Sequence, residues 1–197
     1  MLEKFTLFLQ KNAQINDEQF QVLSKNLKSE KIAKNVILLR PDEICTHSFF
    51  VEQGLLRSYT IDSAGKEHII QFASENWIMS DRSSAYFNQS SDFFIEAVED
   101  STIIYFDQNF VDEASELNSH FRQYNEKALH NHIRHLQKRI NLLLSATAEQ
   151  RYMNFIKLYP DLMLRVPQWM IASYLGITPE SLSRVRKELA NRHFKPL

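Results

Sequence analysis

The hydrophobic positions along the chain follow distinct patterns in succession. Residues 2–11 and 17–28 carry apolar residues at helical spacing, which predicts two short N-terminal helices. From about residue 31 onward, short runs rich in Val, Ile, Phe, Tyr and Thr recur between turn signals. The predicted strands are 32–39, 47–53, 55–62, 67–73, 93–98 and 102–106. Many short strands separated by turns are typical of an antiparallel barrel or jelly roll.

A long helix is predicted after the strands, from about Val111 to about Ser145. Its apolar residues alternate steps of four and three, which is the spacing of a heptad seam. Such a seam can pack a helix against its own barrel, or it can pair two parallel helices from two copies of the chain. The second interpretation predicts a homodimer whose interface contains Leu129, Ile133, Leu136, Ile140 and Leu143.

The last pattern, from Val166 to Leu189, predicts two short helices that meet at Gly176. A glycine at this position suits the positive φ that commonly ends a helix. Thr178 can cap the following helix, and Pro179 fits its first position because the missing N–H has no partner there in any case. The second helix would turn its apolar residues inward and its polar and cationic residues outward. This arrangement is either a DNA-binding helix-turn-helix or an ordinary helical hairpin.

The charge distribution favours the first of these two interpretations. The 197-residue chain has a net charge of −1 and 44% hydrophobic residues, enough for a large core. Residues 148–197 hold eight Lys or Arg and four Asp or Glu, a net charge of +4, which leaves −5 for residues 1–147. A basic module attached to an acidic domain is expected when only the basic part contacts phosphates.

The single cysteine, Cys45, excludes an internal disulfide and favours a reducing compartment. It also excludes an iron–sulfur cluster held by the thiolates of this chain alone. Because no apolar run is long enough for a signal peptide or a membrane span, we expect a cytoplasmic protein without membrane association.

The order of residues from Ile171 to Arg184, Ile-Ala-x-x-Leu-Gly-Ile-Thr-x-Glu-Ser-Leu-Ser-Arg, resembles the helix-turn-helix of the Crp/Fnr family of bacterial transcription regulators. In that family a glutamate and an arginine of the second helix read base edges, and the resemblance assigns these roles to Glu180 and Arg184. A guanidinium can bridge guanine O6 and N7, and a carboxylate can accept from a cytosine amino group. The other candidate DNA-binding residues, which would position the helix on phosphates, are Thr178, Ser181, Ser183 and Lys187.

The resemblance extends, more weakly, to the strands. Residues 52–57 and 65–67 are similar to strand-turn-strand elements of the cyclic-nucleotide-binding β-roll. The expected fold is therefore of the α+β class: an antiparallel β-roll or jelly-roll sensor domain at 1–110, a dimerisation helix at 111–147 and a helix-turn-helix domain at 148–197. Two departures from the family pattern stand out. Pro179 replaces an arginine found in several relatives, and residues 190–197 are too few for a full two-stranded wing.

In family members that bind cyclic AMP, a Gly-Glu pair and a downstream Arg-Ser or Arg-Thr pair hold the ribose and the phosphate. Here Ser80-Asp81 stands near the first pair and Ser91-Asp92 near the second. An aspartate would repel a phosphate, so we predict that cyclic AMP is not bound in the usual way. Arg82 is either a displaced anion ligand or an ordinary surface arginine.

No cofactor or catalytic site is recognisable in the sequence. The serine pairs lack the glycines of a nucleophile elbow, and three scattered glycines cannot form a phosphate loop, so we predict that the protein is not an enzyme. His132 and His135 share a helix face, but a metal would need a further ligand, and no metal site is predicted. The expected partners are palindromic double-stranded DNA, a second copy of the chain, RNA polymerase and an effector of unknown identity. The alternative is a ligand-binding or protein-interaction module that has lost DNA binding.

Overall fold

Helices precede the strands, as the hydrophobic pattern predicts, in a computed structural model that describes residues 2–193. The helices of this part of the chain are α1 (Glu3–Ala13), α2 (Asp17–Leu23), α3 (Arg82–Phe87), α4 (Gln108–Leu117), α5 (Ser119–Ser145), α6 (Ala148–Leu158), α7 (Leu162–Arg165), α8 (Gln168–Leu175) and α9 (Pro179–His193). The strands are β1 (Lys28–Ile32), β2 (Ile37–Leu39), β3 (Ser48–Gln53), β4 (Leu56–Ile61), β5 (Glu67–Ala73), β6 (Ile78–Met79), β7 (Phe94–Ala97) and β8 (Ser101–Phe106). A single 3₁₀ turn, Ser24–Asn26, follows α2.

The strands form two four-stranded sheets, in the orders β1-β8-β3-β6 and β2-β7-β4-β5. A core cluster lies between the sheets, because it takes Phe49 and Ile103 from the first sheet and Leu56 and Ile95 from the second. The pairings of β1 with β8, β3 with β8, β3 with β6, β2 with β7 and β4 with β7 are all antiparallel. Two sheets that share one apolar layer, with helices at both ends of the sequence, confirm the predicted α+β class.

The strand predictions fail at several places, one of which has a clear physical cause. The predicted strand 32–39 does not form as one strand. Its first residue, Ile32, ends β1, the backbone turns at Asn35, whose φ is 66°, and only Ile37–Leu39 form β2. Asparagine tolerates this left-handed conformation better than most residues, so it can turn the chain inside an otherwise strand-like sequence. The predicted helix 17–28 ends at Leu23, and residues 28–31 of β1 and the short strand β6 were not predicted as strands.

Helix α1 is anchored to strand β3 by a buried carboxylate. Glu52 accepts hydrogen bonds from the backbone N–H groups of Lys4 at 2.7 Å and Phe5 at 3.0 Å. These N–H groups belong to the first turn of the helix, where no backbone acceptor exists, and a negative charge there also complements the helix dipole. Phe5 and Leu9 then pack in a second core cluster with Phe50.

The long helix begins later than the sequence suggested. The chain from Gln108 to Ser145 is two helices, α4 and α5, separated by Asn118 at φ −146° and ψ 115°. The Asn118 side chain explains the break, because its oxygen accepts from the N–H of His120 at 2.8 Å and its amide donates to the carbonyl of Gln14. It therefore caps α5 while it holds the N-terminal segment. The predicted end at Ser145 is confirmed.

The chain divides into two units. The first unit runs to Thr60, resumes at Ile70 and ends at His130, so it contains most of both sheets. The second unit starts again at Asn131 and also includes the hairpin segment Ile61–Ile69, which joins β4 to β5. Among residues 2–193, none of the helices combines the length and apolar character that crossing a bilayer requires.

Candidate functional site

The turn between α8 and α9 has the geometry that the sequence predicts. Gly176 adopts φ 64°, its N–H donates to the carbonyl of Ser173 at 3.0 Å, and the N–H of Ile177 donates to that of Ala172 at 3.0 Å. This pair of bonds is a Schellman motif. A Cβ at position 176 would lie 3.2 Å from Leu143 Cδ2, so both the backbone angle and the available space favour glycine.

Helix α9 begins with the predicted cap. Thr178 Oγ1 accepts from the N–H of Ser181 at 3.2 Å, and Pro179 occupies the first helical position. The pKa of the Glu180 carboxyl is lowered from its ordinary value because its own backbone N–H and the Thr178 hydroxyl donate to it. The Glu180 side chain is therefore ionised at neutral pH and presents a hydrogen-bond acceptor at the start of α9.

Helix α9 separates its apolar and polar residues as predicted. Leu182 and Val185 are buried, whereas the candidate DNA-binding residues are exposed or, for Ser181, half-buried. The exposed ones are Thr178, Glu180, Ser183, Arg184 and Lys187. Residues 190–193 continue α9. The prediction of a shortened wing also depends on residues 194–197, which lie outside the described residues.

Two arginines hold the C-terminal end of α8, a contact that no local sequence pattern predicts. Arg139 Nη2 of α5 donates to the carbonyl of Tyr174 at 3.2 Å, and Arg151 Nη1 of α6 donates to that of Leu175 at 2.7 Å. The last carbonyls of a helix lack partners within the helix, and cations at this end are favoured by its dipole. These arginines therefore fix the helix immediately before the Gly176 turn.

The predicted interface residues on α5 form an exposed apolar stripe. The exposed fractions are 40% for Leu129, 43% for Ile133, 42% for Leu136, 56% for Ile140 and 40% for Leu143. A row of large apolar side chains in contact with water along one helix is typical of a protein–protein interface. Leu144, next to the stripe, is even more exposed at 83%.

The predicted ligand segment is organised by a carboxylate rather than by a cation. Asp81 is buried, caps α3 by accepting from the N–H of Ser84 at 3.1 Å, and accepts from the Ser91 hydroxyl at 2.8 Å. The two predicted pairs thus come together here through Asp81 and Ser91. Ser80 is half-buried and Asp92 is exposed. The Ser84 hydroxyl in turn accepts from the N–H of Cys45, whose side chain is buried.

Arg82 is the cation of this segment. Partial removal from water lowers the pKa of its guanidinium, while the nearby Tyr124 hydroxyl acts in the opposite direction. Burial raises the pKa of Tyr124 to about 12, so its hydroxyl stays protonated at neutral pH. Arg82 therefore lies beside an aromatic side chain of α5, and the Asp81 carboxylate is its neighbour in sequence.

A buried charged pair inside the second sheet is a further feature that sequence reasoning missed. Arg57 Nη2 donates to both carboxylate oxygens of Glu96, at 3.2 and 3.0 Å, and the Tyr59 hydroxyl donates to the same carboxylate at 2.8 Å. The Arg57 guanidinium also lies over the Tyr59 ring, 4.1 Å from its centroid. Only the cross-strand register brings these residues together, so no local signal could have found them.

Among residues 2–193, no group of three or more His, Cys, Asp or Glu side chains is arranged to hold a metal ion.

Comparison with known proteins gives consistent matches over most of the chain. Residues 29–118 match the family model of the cyclic nucleotide-binding domain. The Anaerobic regulatory protein of Pasteurella multocida is 25% identical over 183 residues, covering 87% of this chain and 66% of that protein, so the chain spans about two thirds of its length. Electron transport regulator A of Shewanella oneidensis is 26% identical over 183 residues, covering 87% of this chain and 72% of that protein.

The fold has close counterparts among solved structures. FixK2 from Bradyrhizobium japonicum superposes with a TM-score of 0.71 at 21% identity, covering 87% of this chain and 89% of that one. Both of these relatives are named as regulatory proteins. Residues 29–118 thus match a cyclic nucleotide-binding domain, the chain is similar in sequence to two bacterial regulatory proteins, and its fold is similar to that of FixK2.

Proposed function

We propose that the protein is a homodimeric, sequence-specific DNA-binding regulator whose sensor domain does not bind cyclic AMP in the usual way. The observation that carries the proposal is the exposed polar face of α9. Glu180, Arg184 and Lys187 lie on this face, directly after the Gly176 turn, and no described contact covers them. A second helix of this kind, held outward by a first helix, is the element that enters the major groove in helix-turn-helix proteins.

The exposed stripe on α5 supports the homodimer. One recognition helix in one groove rarely gives enough affinity or specificity, whereas two helices about 34 Å apart read a palindrome. A parallel pairing of two α5 helices through Leu136 and Ile140 would bury these side chains and present α9 twice. The net charge of +4 on residues 148–197 supports attraction of this module to DNA phosphates.

The Asp81 carboxylate supports the proposal on cyclic AMP. A buried phosphodiester needs a fixed cation or several N–H donors. In this segment the Ser91 hydroxyl already donates to the Asp81 carboxylate, and that carboxylate contributes a negative charge. These residues therefore do not fit a cyclic nucleotide phosphate. The effector is a different ligand, or the domain acts without one.

The test is DNA binding measured by fluorescence anisotropy, with a duplex taken from the region upstream of the protein's own gene. We expect a Kd that weakens steeply as salt rises, because each neutralised phosphate contributes about −0.9 to the slope of log K against log salt. Unrelated duplexes of the same length serve as the control. Affinity that is weak, independent of salt and equal for all duplexes would favour a module that has lost DNA binding.

A further inference from the structure

Ser173 of α8 bridges two backbone groups of the hairpin segment. Its Oγ accepts from the N–H of Ile69 at 2.9 Å and donates to the carbonyl of Glu67 at 3.0 Å. Strand β5 stands at the end of its sheet, so residues on its outer edge lack a neighbouring strand of that sheet. The Ser173 hydroxyl thus provides two of the hydrogen bonds that a neighbouring strand would otherwise make with this edge.

Arg139 of α5 contacts the same edge of β5. Its Nη2 donates to the carbonyl of Ile69 at 3.0 Å as well as to that of Tyr174 on α8 at 3.2 Å. The guanidinium lies over the Tyr174 ring, 3.9 Å from its centroid. The backbone of Ile69 is therefore bonded to two side chains of the second unit, through both its N–H and its carbonyl.

The hairpin segment is held by hydrogen bonds between its own residues. The Asp62 carboxylate accepts from the N–H groups of Ala64 and Lys66 at 2.9 and 3.0 Å, and it contacts His68 Nε2 at 2.7 Å. Beyond Ile69, strand β5 continues to Ala73 in the first unit. Ser173 and Arg139 therefore contact a segment whose backbone is held by its own hydrogen bonds.

We propose that Ser173 and Arg139 are positioning residues through which the hairpin segment sets the orientation of α8 and, across the Gly176 turn, of α9. The proposal rests on the DNA-binding function proposed above. Neither residue is placed to bind DNA itself, because the Ser173 hydroxyl uses its donor and an acceptor position on the hairpin and Arg139 is half-buried against Tyr174. The route from β5 to α9 is short: Ile69, Ser173, the turn at Gly176 and then Pro179.

The deciding variant is Ser173→Ala, which removes both hairpin bonds and leaves a good helix former in α8. Ser145→Ala is its matched control, since the Ser145 hydroxyl donates only within its own helix, to Asn141 at 2.8 Å. We expect Ser173→Ala to accelerate amide hydrogen exchange at Ile69 and also at Ile177, whose N–H closes the turn after α8. We expect its Kd for DNA to weaken about five-fold or more, within the usual range of coupling between sites.

The salt dependence of DNA binding separates positioning from direct contact. In Ser173→Ala and in Arg139→Lys the slope of log K against log salt should equal that of the wild type, because no phosphate contact is lost. Arg139→Lys keeps the charge but loses the planar guanidinium that stacks on Tyr174. A smaller slope in Arg139→Lys would show that Arg139 contacts phosphate and would overturn its assignment.

Amide hydrogen exchange tests the coupling between the hairpin segment and the Gly176 turn in the absence of DNA. If Ile69 exchanges faster in Ser173→Ala while Ile177 is unchanged, the hairpin and the turn are independent and the proposal is wrong. Tighter DNA binding by Ser173→Ala also overturns it, since the contact would then oppose recognition. Failure of the wild type to bind any duplex would refute the proposed function instead, and the exchange result at Ile177 would still decide whether the hairpin acts on the turn.

Discussion

Arg57 and Glu96 lie directly opposite each other on strands β4 and β7, both buried, with 3.0 Å between Nη2 and Oε2. A charged pair that is removed from water on both sides makes either partner costly to delete, because the other charge remains buried. The Tyr59 hydroxyl adds a second donor to the same carboxylate.

We therefore expect Glu96→Ala to lower the free energy of unfolding of the first unit by about 3–5 kcal/mol. Urea denaturation followed by circular dichroism measures the change. The double variant Arg57→Met with Glu96→Met is the control and should recover most of the loss, since an apolar pair of similar volume leaves no charge unpaired. A loss below about 1 kcal/mol in Glu96→Ala would mean that water reaches the pair.

Replacement of Arg184 tests direct base reading. We expect Arg184→Ala to cost about 1–3 kcal/mol in binding the preferred duplex and to relax the preference at one base pair. Arg186→Ala is the matched control, because Arg186 is also exposed on α9 but lies two residues away, on a different side of the helix. Equal weakening by Arg184→Ala on every duplex would assign Arg184 to the DNA backbone.

Charge in the α5 stripe should prevent formation of the proposed homodimer. Leu136→Glu and Ile140→Glu would place a carboxylate in the centre of the proposed interface, and sedimentation equilibrium should then show monomers with weakened binding to palindromic DNA. Leu144→Glu serves as the comparison, since Leu144 is 83% exposed and lies beside the stripe. A wild-type protein that is monomeric at every concentration would refute the interface.

Titration calorimetry tests the ligand proposal. We expect no binding of cyclic AMP to the wild-type protein at concentrations up to about 1 mM, because Ser91-Asp92 replaces the expected Arg-Ser pair and the Ser91 hydroxyl already donates to the buried Asp81 carboxylate. Cyclic GMP provides a second probe with the same phosphate. Micromolar binding that changes in Asp92→Asn would show that this segment does hold the phosphate.

The stability of the hairpin segment should depend on pH through Asp62. The pKa of this carboxyl is below its ordinary value because His68 donates to it, followed by the N–H groups of Lys66 and Ala64. A lowered pKa stabilises the folded state above the ordinary value of 3.8. This contribution is lost as the pH falls through the lower pKa of the folded state. The difference in unfolding midpoint between the wild type and Asp62→Asn should therefore be largest near neutral pH and should vanish in acid. A difference that persists unchanged in acid would contradict this assignment.

The helix-turn-helix could be predicted from the sequence because its determinants are local. The end of α8 depends on Gly176, the start of α9 on Thr178 and Pro179, and the inward face on the spacing of Leu182 and Val185. Each signal lies within a few residues of the element that it defines. The same holds for the helical spacing that predicted α1 and α2.

The missed features depend on contacts between distant residues. Asn118 breaks the long helix partly because its side chain meets Gln14, 104 residues earlier in the chain. Ser173 meets Ile69 over the same separation, and Arg57 meets Glu96 only through strand register. A serine or an asparagine in a helical sequence does not reveal which backbone group it will bind.

The discontinuous second unit has a consequence for dissecting this protein into fragments. A truncation that starts at Asn131 would omit Ile61–Ile69, although Arg139 and Ser173 of the fragment both bond to the backbone of that segment. Such a fragment would expose these groups to solvent and lose the burial of Ile69, so it would be less stable than the same residues within the whole chain. Residues 131–197 therefore do not form an independently stable fragment. A fusion of this fragment to another domain would also need the hairpin segment Ile61–Ile69.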